Sequence, residues 1–313
     1  MAAILTENLQ KNYGPVTALS GLNLTIEENT IFGFLGPNGA GKTTTIRLLT
    51  GLAHPSGGKA WVAGMPIGHS QQAARRIGYL PEEPALYTWM TPAEYLDHVG
   101  RLFSLPTVER RERVDELLDL VGLSKVRKRR VGGFSHGMRQ RLGLAQALVN
   151  HPEVLFLDEP ISSLDPMGRK EVLDLIERLR GKCTIFMSTH ILSDVERVCD
   201  TVGIIHKGKL IVKANKNELL ARYALPILEL ECENGQEASL AVWTNQIAGQ
   251  SWFESSAVDG NTARIMVAEI DTARSSILTA LAGSNLALRR FEVVTPSLED
   301  VFLRLVNNEE VKS

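Results

Sequence analysis

Residues 36–43 read Gly-Pro-Asn-Gly-Ala-Gly-Lys-Thr, a run whose residue types and spacing could hold a chain of phosphates. The run fits the pattern G-x-x-x-x-G-K-[ST] at every fixed position. An apolar stretch at 30–35 precedes it and a helix-like stretch at 44–49 follows it. Glycines let successive backbone N–H groups face an anion, and the helix start adds its free N–H groups and positive dipole end. We therefore predict a phosphate-binding loop.

Lys42 and Thr43 supply the specific chemistry of this loop. The Lys42 ammonium would lie against the β and γ phosphates of a nucleotide, and the Thr43 hydroxyl would be a first ligand for Mg²⁺. A glycine-rich turn without a ligand is disfavoured, because all the fixed positions match between a strand and a helix. The predicted nucleotide-binding residues of the loop are Gly36, Pro37, Asn38, Gly39, Ala40, Gly41, Lys42, Thr43 and Thr44.

Acidic residues and a histidine follow other predicted strands. Asp158 and Glu159 end an apolar run at 154–157, which is typical of a strand buried in a parallel sheet with a ligand crevice at its carboxyl end. Asp158 would hold Mg²⁺, directly or through water, and Glu159 could take a proton from attacking water. His190 ends a similar run at 184–189, although a single histidine is usually structural. Glu82, in an acidic loop after the run at 77–80, can reach a metal ion or simply be solvated.

Some positions are ambiguous from spacing alone. Ser135 can cap a helix start that includes Gly137, which would make a second anion site, although many helices begin this way. Tyr13 could stack on a base or only end a strand. The basic run at 125–130 could contact phosphates or lipids. A solvated connection is favoured for this run, because it lacks interleaved aromatic residues.

Length and composition limit the classes of protein. The 313 residues suggest one large or two ordinary domains, and the net charge of −2 provides no global attraction to nucleic acid or acidic lipid. No apolar run approaches the roughly 18–20 residues of a membrane span, and the N-terminus lacks the features of a secretory signal. The three cysteines show neither disulfide nor zinc-site spacing. We expect a cytosolic, reduced protein.

The remaining patterns outline the architecture. Residues 3–35 alternate short apolar segments with turn signals such as Ser20-Gly21, which indicates a small sheet. A helical insert occupies about 88–150; it starts at Thr91-Pro92-Ala93-Glu94 and is broken by Pro106. Beyond residue 222, strand-like stretches at 225–233 and 262–269 and helices at 271–282 and 297–306 predict a small C-terminal α+β domain over 223–313. The predicted fold class is α/β.

With these motifs in this order, residues 3 to about 220 resemble the ATP-binding subunits of ABC transporters, which have a P-loop NTPase fold with a helical subdomain. The resemblance implies that Tyr13 stacks on adenine, that residues 36–43 form the Walker A loop and that Asp158 and Glu159 are the Walker B aspartate and catalytic glutamate. His190 resembles the switch histidine. Lys42, Glu159 and His190 are thus the implied catalytic residues, and Thr43, Asp158 and Glu82 the implied Mg²⁺ ligands.

Two further motifs resemble parts that act between subunits. Ser163-Leu164-Asp165 resembles the loop that links two nucleotide sites. Residues 135–138 resemble the signature motif, with Ser135 and Gly137 kept, which completes the ATP site of the opposite subunit. Two departures stand out: Glu82 replaces the usual glutamine, and His136 and Met138 replace the first glycine and the glutamine of the signature.

The resemblance implies the cofactors ATP and Mg²⁺ and the partners. One chain has two helix starts that could bind an anion but only one lysine-bearing loop. A two-fold dimer with a second copy would let both helix starts contribute to nucleotide binding. The departures and the C-terminal extension resemble those of bacterial drug, sodium and antibiotic exporters. Permease subunits would cross the membrane, which would place this chain in the cytoplasm, peripheral on the inner face of the cell membrane. No nucleic-acid partner is expected.

Two rival functions remain open. A soluble ABC-type ATPase acting on ribosomes or nucleic acid would usually hold two nucleotide domains or a long coiled coil, and the sequence shows neither. A nucleotide sensor without hydrolysis is disfavoured by the full set of Lys42, Asp158, Glu159 and His190.

Overall fold

The computed structural model describes residues 1–68, 71–162, 164–223, 226–294, 297–302 and 305. The chain divides into two compact units, Met1–Lys216 and Asn217–Ser313. The division lies a few residues before the domain boundary that the sequence suggests, at the start of a helix over residues 216–223.

The elements follow one another in a mixed α/β order. The strands are β1 (Ala2–Tyr13), β2 (Val16–Glu27), β3 (Ile31–Leu35), β4 (Gly57–Val62), β5 (Met65–Pro66), β6 (Ile77–Leu80), β7 (Val154–Asp158), β8 (Thr184–Thr189), β9 (Thr201–His206), β10 (Lys209–Asn215), β11 (Ile227–Cys232), β12 (Phe253–Asp259), β13 (Thr262–Val267) and β14 (Leu288–Val294). The helices are α1 (Lys42–Leu49), α2 (Gln71–Arg75), α3 (Pro92–Leu102), α4 (Thr107–Leu120), α5 (His136–Leu148), α6 (Pro166–Arg178), α7 (Leu192–Val198), α8 (Lys216–Tyr223), α9 (Glu237–Ile247) and α10 (Ile270–Ala282).

The central sheet of the first unit has the strand order β10-β9-β3-β8-β7-β6. All its neighbouring pairs are parallel except β10 with β9. Every residue of β3, β7 and β8 is buried, as their continuous apolar runs predict. The register pairs Leu35 with Thr189 and Asp158 with Ser188. The loop after β3, the acidic end of β7 and the end of β8 therefore meet at one edge.

The second sheet of this unit is antiparallel, with the order β2-β1-β4-β5. The sequence predicts short segments here, but β1 and β2 are 12 residues long each. The register shifts between Thr6 and Leu9, and Asn8 between them has a φ of 47°. Gly21, opposite this irregularity, has a φ of 78°. The turn signal at Ser20-Gly21 therefore marks a bulge within a strand, because glycine accepts positive φ without ending the pairing.

The helical insert consists of α3, α4 and α5, between β6 and β7. Thr91 caps α3: its hydroxyl accepts from the Glu94 N–H, and the Glu94 carboxylate accepts from the Thr91 N–H at 2.8 Å. Pro106 separates α3 from α4, as predicted. A Cβ on Gly78 of β6 would lie 2.0 Å from the Ala147 carbonyl oxygen, so α5 packs directly on this strand.

The second unit is an antiparallel sheet in the order β12-β13-β11-β14, against which α9 and α10 pack. The strands predicted at 225–233 and 262–269 and the helix predicted at 271–282 correspond to β11, β13 and α10. No pattern noted in the sequence predicts α9, β12 or β14. Residues 303, 304 and 306 of the helix predicted at 297–306 lie outside the described residues.

Over the described part of the chain, no helix has both the length and the apolar character that crossing a bilayer requires.

Candidate active site

The loop between β3 and α1 curls around its own lysine. Lys42 is buried, and its Nζ donates to the carbonyl oxygens of Gly36 at 2.7 Å and Pro37 at 3.3 Å. Gly39 and Gly41 have φ values of 79° and 109°, which favour glycine. A Cβ on Gly41 would also lie 2.7 Å from the Ala18 carbonyl oxygen, so a larger residue would push the loop off β2.

The end of β7 places Asp158 against two hydroxyl groups. Its Oδ1 accepts from Ser188 Oγ at 2.6 Å and from Thr43 Oγ1 at 3.1 Å. Burial raises the pKa of the Asp158 carboxyl above its usual range, and the charge of Glu159 acts in the same direction, while the two hydroxyls oppose the shift. A buried carboxylate beside a hydroxyl matches the hard oxygen ligands that Mg²⁺ prefers, so the donor set fits this ion.

Glu159 lies between the loop lysine and the histidine. Its Oε1 is 3.3 Å from Lys42 Nζ, and its Oε2 is 3.0 Å from His190 Nδ1. Its backbone φ of 47° is uncommon for a residue other than glycine, and its N–H donates to the Ser188 carbonyl at 3.1 Å. Ser188 thus contacts both acidic residues, through its hydroxyl to Asp158 and through its backbone carbonyl to Glu159. Glu159 lines the cavity, whereas Asp158 does not.

An open cavity of about 320 Å³ lies above this cluster. The cavity is lined by Ala18, Asn38, Gly39, Ala40, Gly41, Lys42, Thr43, Thr44, Glu82, Glu159 and His190. The structure therefore gathers the loop, the glutamates and the histidine that the sequence singles out. Gly36 and Pro37 contribute through their carbonyls to Lys42, and Asp158 lies behind Thr43.

Besides Gly36 and Pro37, four predicted nucleotide contacts do not line this cavity. Tyr13 lies at the end of β1, half-exposed, with Lys11 Nζ 4.9 Å from its ring centre. Ser135 caps α5 by accepting from the Met138 N–H at 3.3 Å, and Gly137 lies in the first turn of this helix. Asp165 caps α6 by accepting from the Gly168 N–H at 2.9 Å. Ser163 lies outside the described residues.

Sequence reasoning missed two residues of the site. Ser188 is fully buried within the apolar strand β8, and a hydroxyl among apolar residues near a strand end was the available signal. Ala18 of β2 contacts the loop through its backbone, so its side-chain type carried no signal.

The arrangement can bind and hydrolyse a nucleoside triphosphate. A lysine-bearing loop at a helix start, a hydroxyl and carboxylate pair for Mg²⁺ and a glutamate facing the crevice are the parts of a P-loop NTPase. The central sheet and the helical insert place this NTPase in the ABC class.

Comparisons with known proteins agree with this class. Residues 19–162 match the ABC transporter family, and residues 215–306 match the DrrA1-3-like C-terminal domain of ATP-binding proteins. The chain is 39% identical to the ABC transporter ATP-binding protein YxlF of Bacillus subtilis, over 96% of this chain and 98% of that protein. The chain belongs to the ATP-binding proteins of ABC transporters, and as an ABC ATPase it binds ATP.

The names of two further relatives refer to particular compounds, bacitracin and daunorubicin. The bacitracin transport ATP-binding protein BcrA of Bacillus licheniformis is 44% identical over 66% of this chain and 68% of its own length. The daunorubicin resistance ATP-binding protein DrrA3 of Streptomyces coeruleorubidus is 33% identical over 98% of this chain and 96% of its own length. The second match includes the C-terminal unit.

Solved structures also resemble the first unit. The structure of cbiO1 from Clostridium perfringens, part of the ABC transporter complex cbiONQ, superposes with a TM-score of 0.65 at 30% identity over 71% of this chain and 91% of that one. A cassette solved as a dimer with ADP and Pi has a TM-score of 0.61 over 68% of this chain and 98% of that one; at 23% identity it shows the fold alone.

Proposed function

We propose that this chain hydrolyses Mg-ATP as a dimer of two copies and thereby drives export by a separate membrane permease. The observation that carries the proposal is the convergence of Lys42, Glu159 and His190 on one cavity, with Thr43 and Asp158 beside them. These residues can bind the phosphates, hold the metal and accept a proton within one crevice.

Each residue has a role that its contacts support. When ATP binds, the Lys42 ammonium would contact the β and γ phosphates, and its ion pair with Glu159 would weaken. The Glu159 carboxylate would then be available to accept a proton from water. Thr43 and Asp158 would hold Mg²⁺, with Glu82 at the cavity wall as a further oxygen ligand. Mg²⁺ would neutralise charge that develops on the phosphates. His190, in contact with Glu159 Oε2, would orient this carboxylate and contact the γ phosphate.

The second copy would complete the site. Ser135 and Gly137 lie at the start of α5 but outside the cavity of their own chain, as does Asp165 at the start of α6. Free N–H groups at the start of α5 suit a phosphate. A head-to-tail pair would bring the α5 start of one copy to the phosphate loop of the other, and Asp165 would lie between the two nucleotides. Tyr13 would stack on the adenine beyond the β2 wall of the cavity.

The exporter assignment rests on the relatives. Proteins named for bacitracin transport and daunorubicin resistance share this chain's ATP-binding unit, and the second also shares its C-terminal unit. We propose that the chain lies on the inner face of the membrane through its permease and that a hydrophobic drug or antibiotic is the exported compound.

The substitution Glu159→Gln tests the catalytic proposal. The amide cannot accept the proton from water, so we expect ATP binding to persist while hydrolysis falls at least about a hundredfold, the scale of general-base catalysis. Binding is measured with a fluorescent ATP analogue and hydrolysis by phosphate release, with the permease present. Glu153→Gln is the matched control, because Glu153 is exposed and, among the described residues, its carboxylate pairs with Arg76 alone, outside the cavity. Undiminished hydrolysis by Glu159→Gln would exclude Glu159 as the base.

A mild-detergent pull-down of the tagged chain from native membranes tests the partner. Recovery of a polytopic membrane protein supports the transporter proposal. Recovery of ribosomes or nucleic acid without a membrane protein would overturn it in favour of a soluble ABC-type ATPase, while the ATP site would stand.

A further inference from the structure

An arginine joins the first turns of α6 and α7, the helices that follow the strands β7 and β8. Arg169 lies in the first turn of α6, and α7 begins directly after the loop that carries His190. Arg169 donates from Nε to Asp194 Oδ1 at 2.6 Å and from Nη2 to Ser193 Oγ at 2.8 Å. Both partners lie in the first turn of α7. The guanidinium therefore holds the start of α7 against the start of α6.

The loop that carries His190 is fixed on both sides. On the strand side, the Ile191 N–H donates to Thr189 Oγ1 at 3.0 Å. On the helix side, Ile191 occupies the cap position of α7 and provides no side-chain cap, so the start of this helix is held by Arg169 instead. Between these two points, His190 Nδ1 lies 3.0 Å from Glu159 Oε2. The position of the imidazole therefore depends on where α7 begins.

The pair of Arg169 and Asp194 is better suited to fixing an orientation than to adding stability. Asp194 is 2% exposed, and its Oδ2 has no hydrogen-bond partner among the described residues. Burial raises the pKa of the Asp194 carboxyl, and the hydrogen bond and charge of Arg169 oppose this shift. The cost of removing both charges from water offsets most of their attraction. The planar guanidinium directs separate donors to two neighbouring residues, which fixes their direction as well as their distance.

A second ion pair joins the same two helices farther from the site. Arg197 of α7 pairs with Asp174 of α6, and both side chains are exposed. Arg197 lines the same cavity of about 370 Å³ between the helices as Arg169 and Asp194 do. The two pairs thus differ mainly in burial and in their distance along α7 from His190. The outer pair provides a matched control for the inner one.

We propose that Arg169 is a positioning residue for His190, and that it holds the start of α7 where the imidazole can meet the γ phosphate of ATP. This inference rests on the proposed function, which assigns the γ-phosphate contact to His190. Because ADP lacks the γ phosphate, displacement of His190 weakens the binding of ATP and leaves that of ADP unchanged. Loss of overall packing would weaken the binding of both nucleotides.

The substitution R169Q tests the proposal in the full chain. The affinities for Mg-ATP and Mg-ADP are measured by competition with a fluorescent nucleotide analogue. We expect the affinity for ATP to fall about tenfold, the change that corresponds to one charge-assisted hydrogen bond, and that for ADP to stay within about twofold. The turnover number should fall roughly 10–100-fold, the range for a slightly misplaced group. The control R197Q should retain all three values within about twofold.

A double-mutant cycle with His190→Ala shows whether Arg169 acts through the histidine. If it does, R169Q should weaken ATP binding by less than about twofold in the His190→Ala background, because the contact is already lost. Binding requires neither hydrolysis nor a permease. An absence of turnover in the wild type would therefore overturn the proposed function and leave this test intact.

The substitution R169K separates positioning from charge. Lysine keeps a positive charge beside the buried Asp194, so no carboxylate is left unpaired and the variant should fold. A single ammonium does not reproduce the fork to Asp194 and Ser193, so we expect the affinity for ATP to lie between those of the wild type and R169Q.

Four results would overturn the proposal. The first is equal weakening of ATP and ADP binding by R169Q, and the second is an equal effect of R169Q and R197Q. The third is a full additional loss of ATP affinity when R169Q is combined with His190→Ala. The fourth is wild-type affinity for ATP in R169K, since charge alone would then suffice.

Discussion

At the scale of single residues, the site depends on hydroxyl groups that hold carboxylates. Asp158 is buried, and burial raises its pKa, so the ionised form is disfavoured unless donors face it. Ser188 and Thr43 supply these donors at 2.6 and 3.1 Å. Ser188 does not line the cavity, so its effect on a metal would pass through the Asp158 carboxylate.

Ser188→Ala should raise the Mg²⁺ concentration needed for half-maximal ATPase activity by roughly 10–100-fold, the usual range for a residue that orients a metal ligand. The reason is that Asp158 Oδ1 keeps only its bond from Thr43. Activity is measured across a Mg²⁺ titration. Thr184→Val is the control, because Thr184 is a buried hydroxyl residue at the other end of β8 and accepts from the Asn29 N–H. An equal shift in both variants would show that loss of any buried hydroxyl in β8 weakens the site.

At the scale of elements, the insert depends on how α3 begins. Thr91 and Glu94 form a reciprocal cap, and the buried Pro92 begins the helix without needing an N–H donor. The next helix, α4, has Pro106 at its cap position and no side-chain cap. The start of α3 is thus fixed by local chemistry, and it positions the Tyr87 and Trp89 segment that precedes it.

Thr91→Ala should lower the stability of the first unit by about 1 kcal/mol, the typical loss for a removed cap. For a unit of this size the melting temperature should fall by about 2–4 °C. Scanning calorimetry of the full chain measures this transition. Thr91→Ser should keep the wild-type value because the hydroxyl remains. Thr107→Ala is the control, since Thr107 follows the cap position of α4 and makes no cap bond; an equal loss there would contradict the capping role.

At the scale of the whole molecule, the cysteines of both units are buried. Burial raises the pKa of the Cys183 thiol to about 11, and it raises the pKa of Cys199 and Cys232 as well. Burial also raises the pKa of Tyr79 to about 12, with the Asp158 charge adding to the shift, and it raises that of Tyr95 to about 12. At these buried thiols and at the phenols of Tyr79 and Tyr95, the folded chain therefore keeps protons at pH values where an unfolded chain releases them.

We expect the contribution of the buried thiols to the free energy of unfolding to be constant up to about pH 8 and to fall as the pH rises towards about 11. Thiols in the unfolded chain ionise near their ordinary pKa of about 8.5, whereas the folded Cys183 ionises only near 11. A group whose pKa is raised in the folded state stabilises the fold at pH values below its pKa in the unfolded state. This contribution is lost as the pH rises from the unfolded pKa to the folded pKa. Denaturant titrations at a series of pH values measure the decline, and Cys183→Ser should reduce its slope.

Thiol labelling at pH 8 gives an independent check. The native chain should react slowly, and denaturant should expose all three thiols. Rapid labelling of the native chain would contradict the burial of the cysteines.

The local order of residues determined much of the architecture. The phosphate loop, the cap at Thr91, the break at Pro106 and the buried strands β7 and β8 all follow from patterns within a few neighbouring positions. The second unit was harder to predict, because α9 and the edge strands β12 and β14 have weak local patterns. These elements are stabilised by a shared core that includes Leu230, Trp243 and Ile277.

The sequence by itself determined which residue types could bind phosphate, hold Mg²⁺ and accept a proton, because these depend on side-chain chemistry and short spacing. Only the tertiary structure decided that Ser188 orients Asp158, that Glu159 pairs with Lys42, and that the segment before α3 bonds to the residues after the basic run. Each of these contacts joins segments far apart in the chain. Strand order and register, which no local pattern encodes, bring them together.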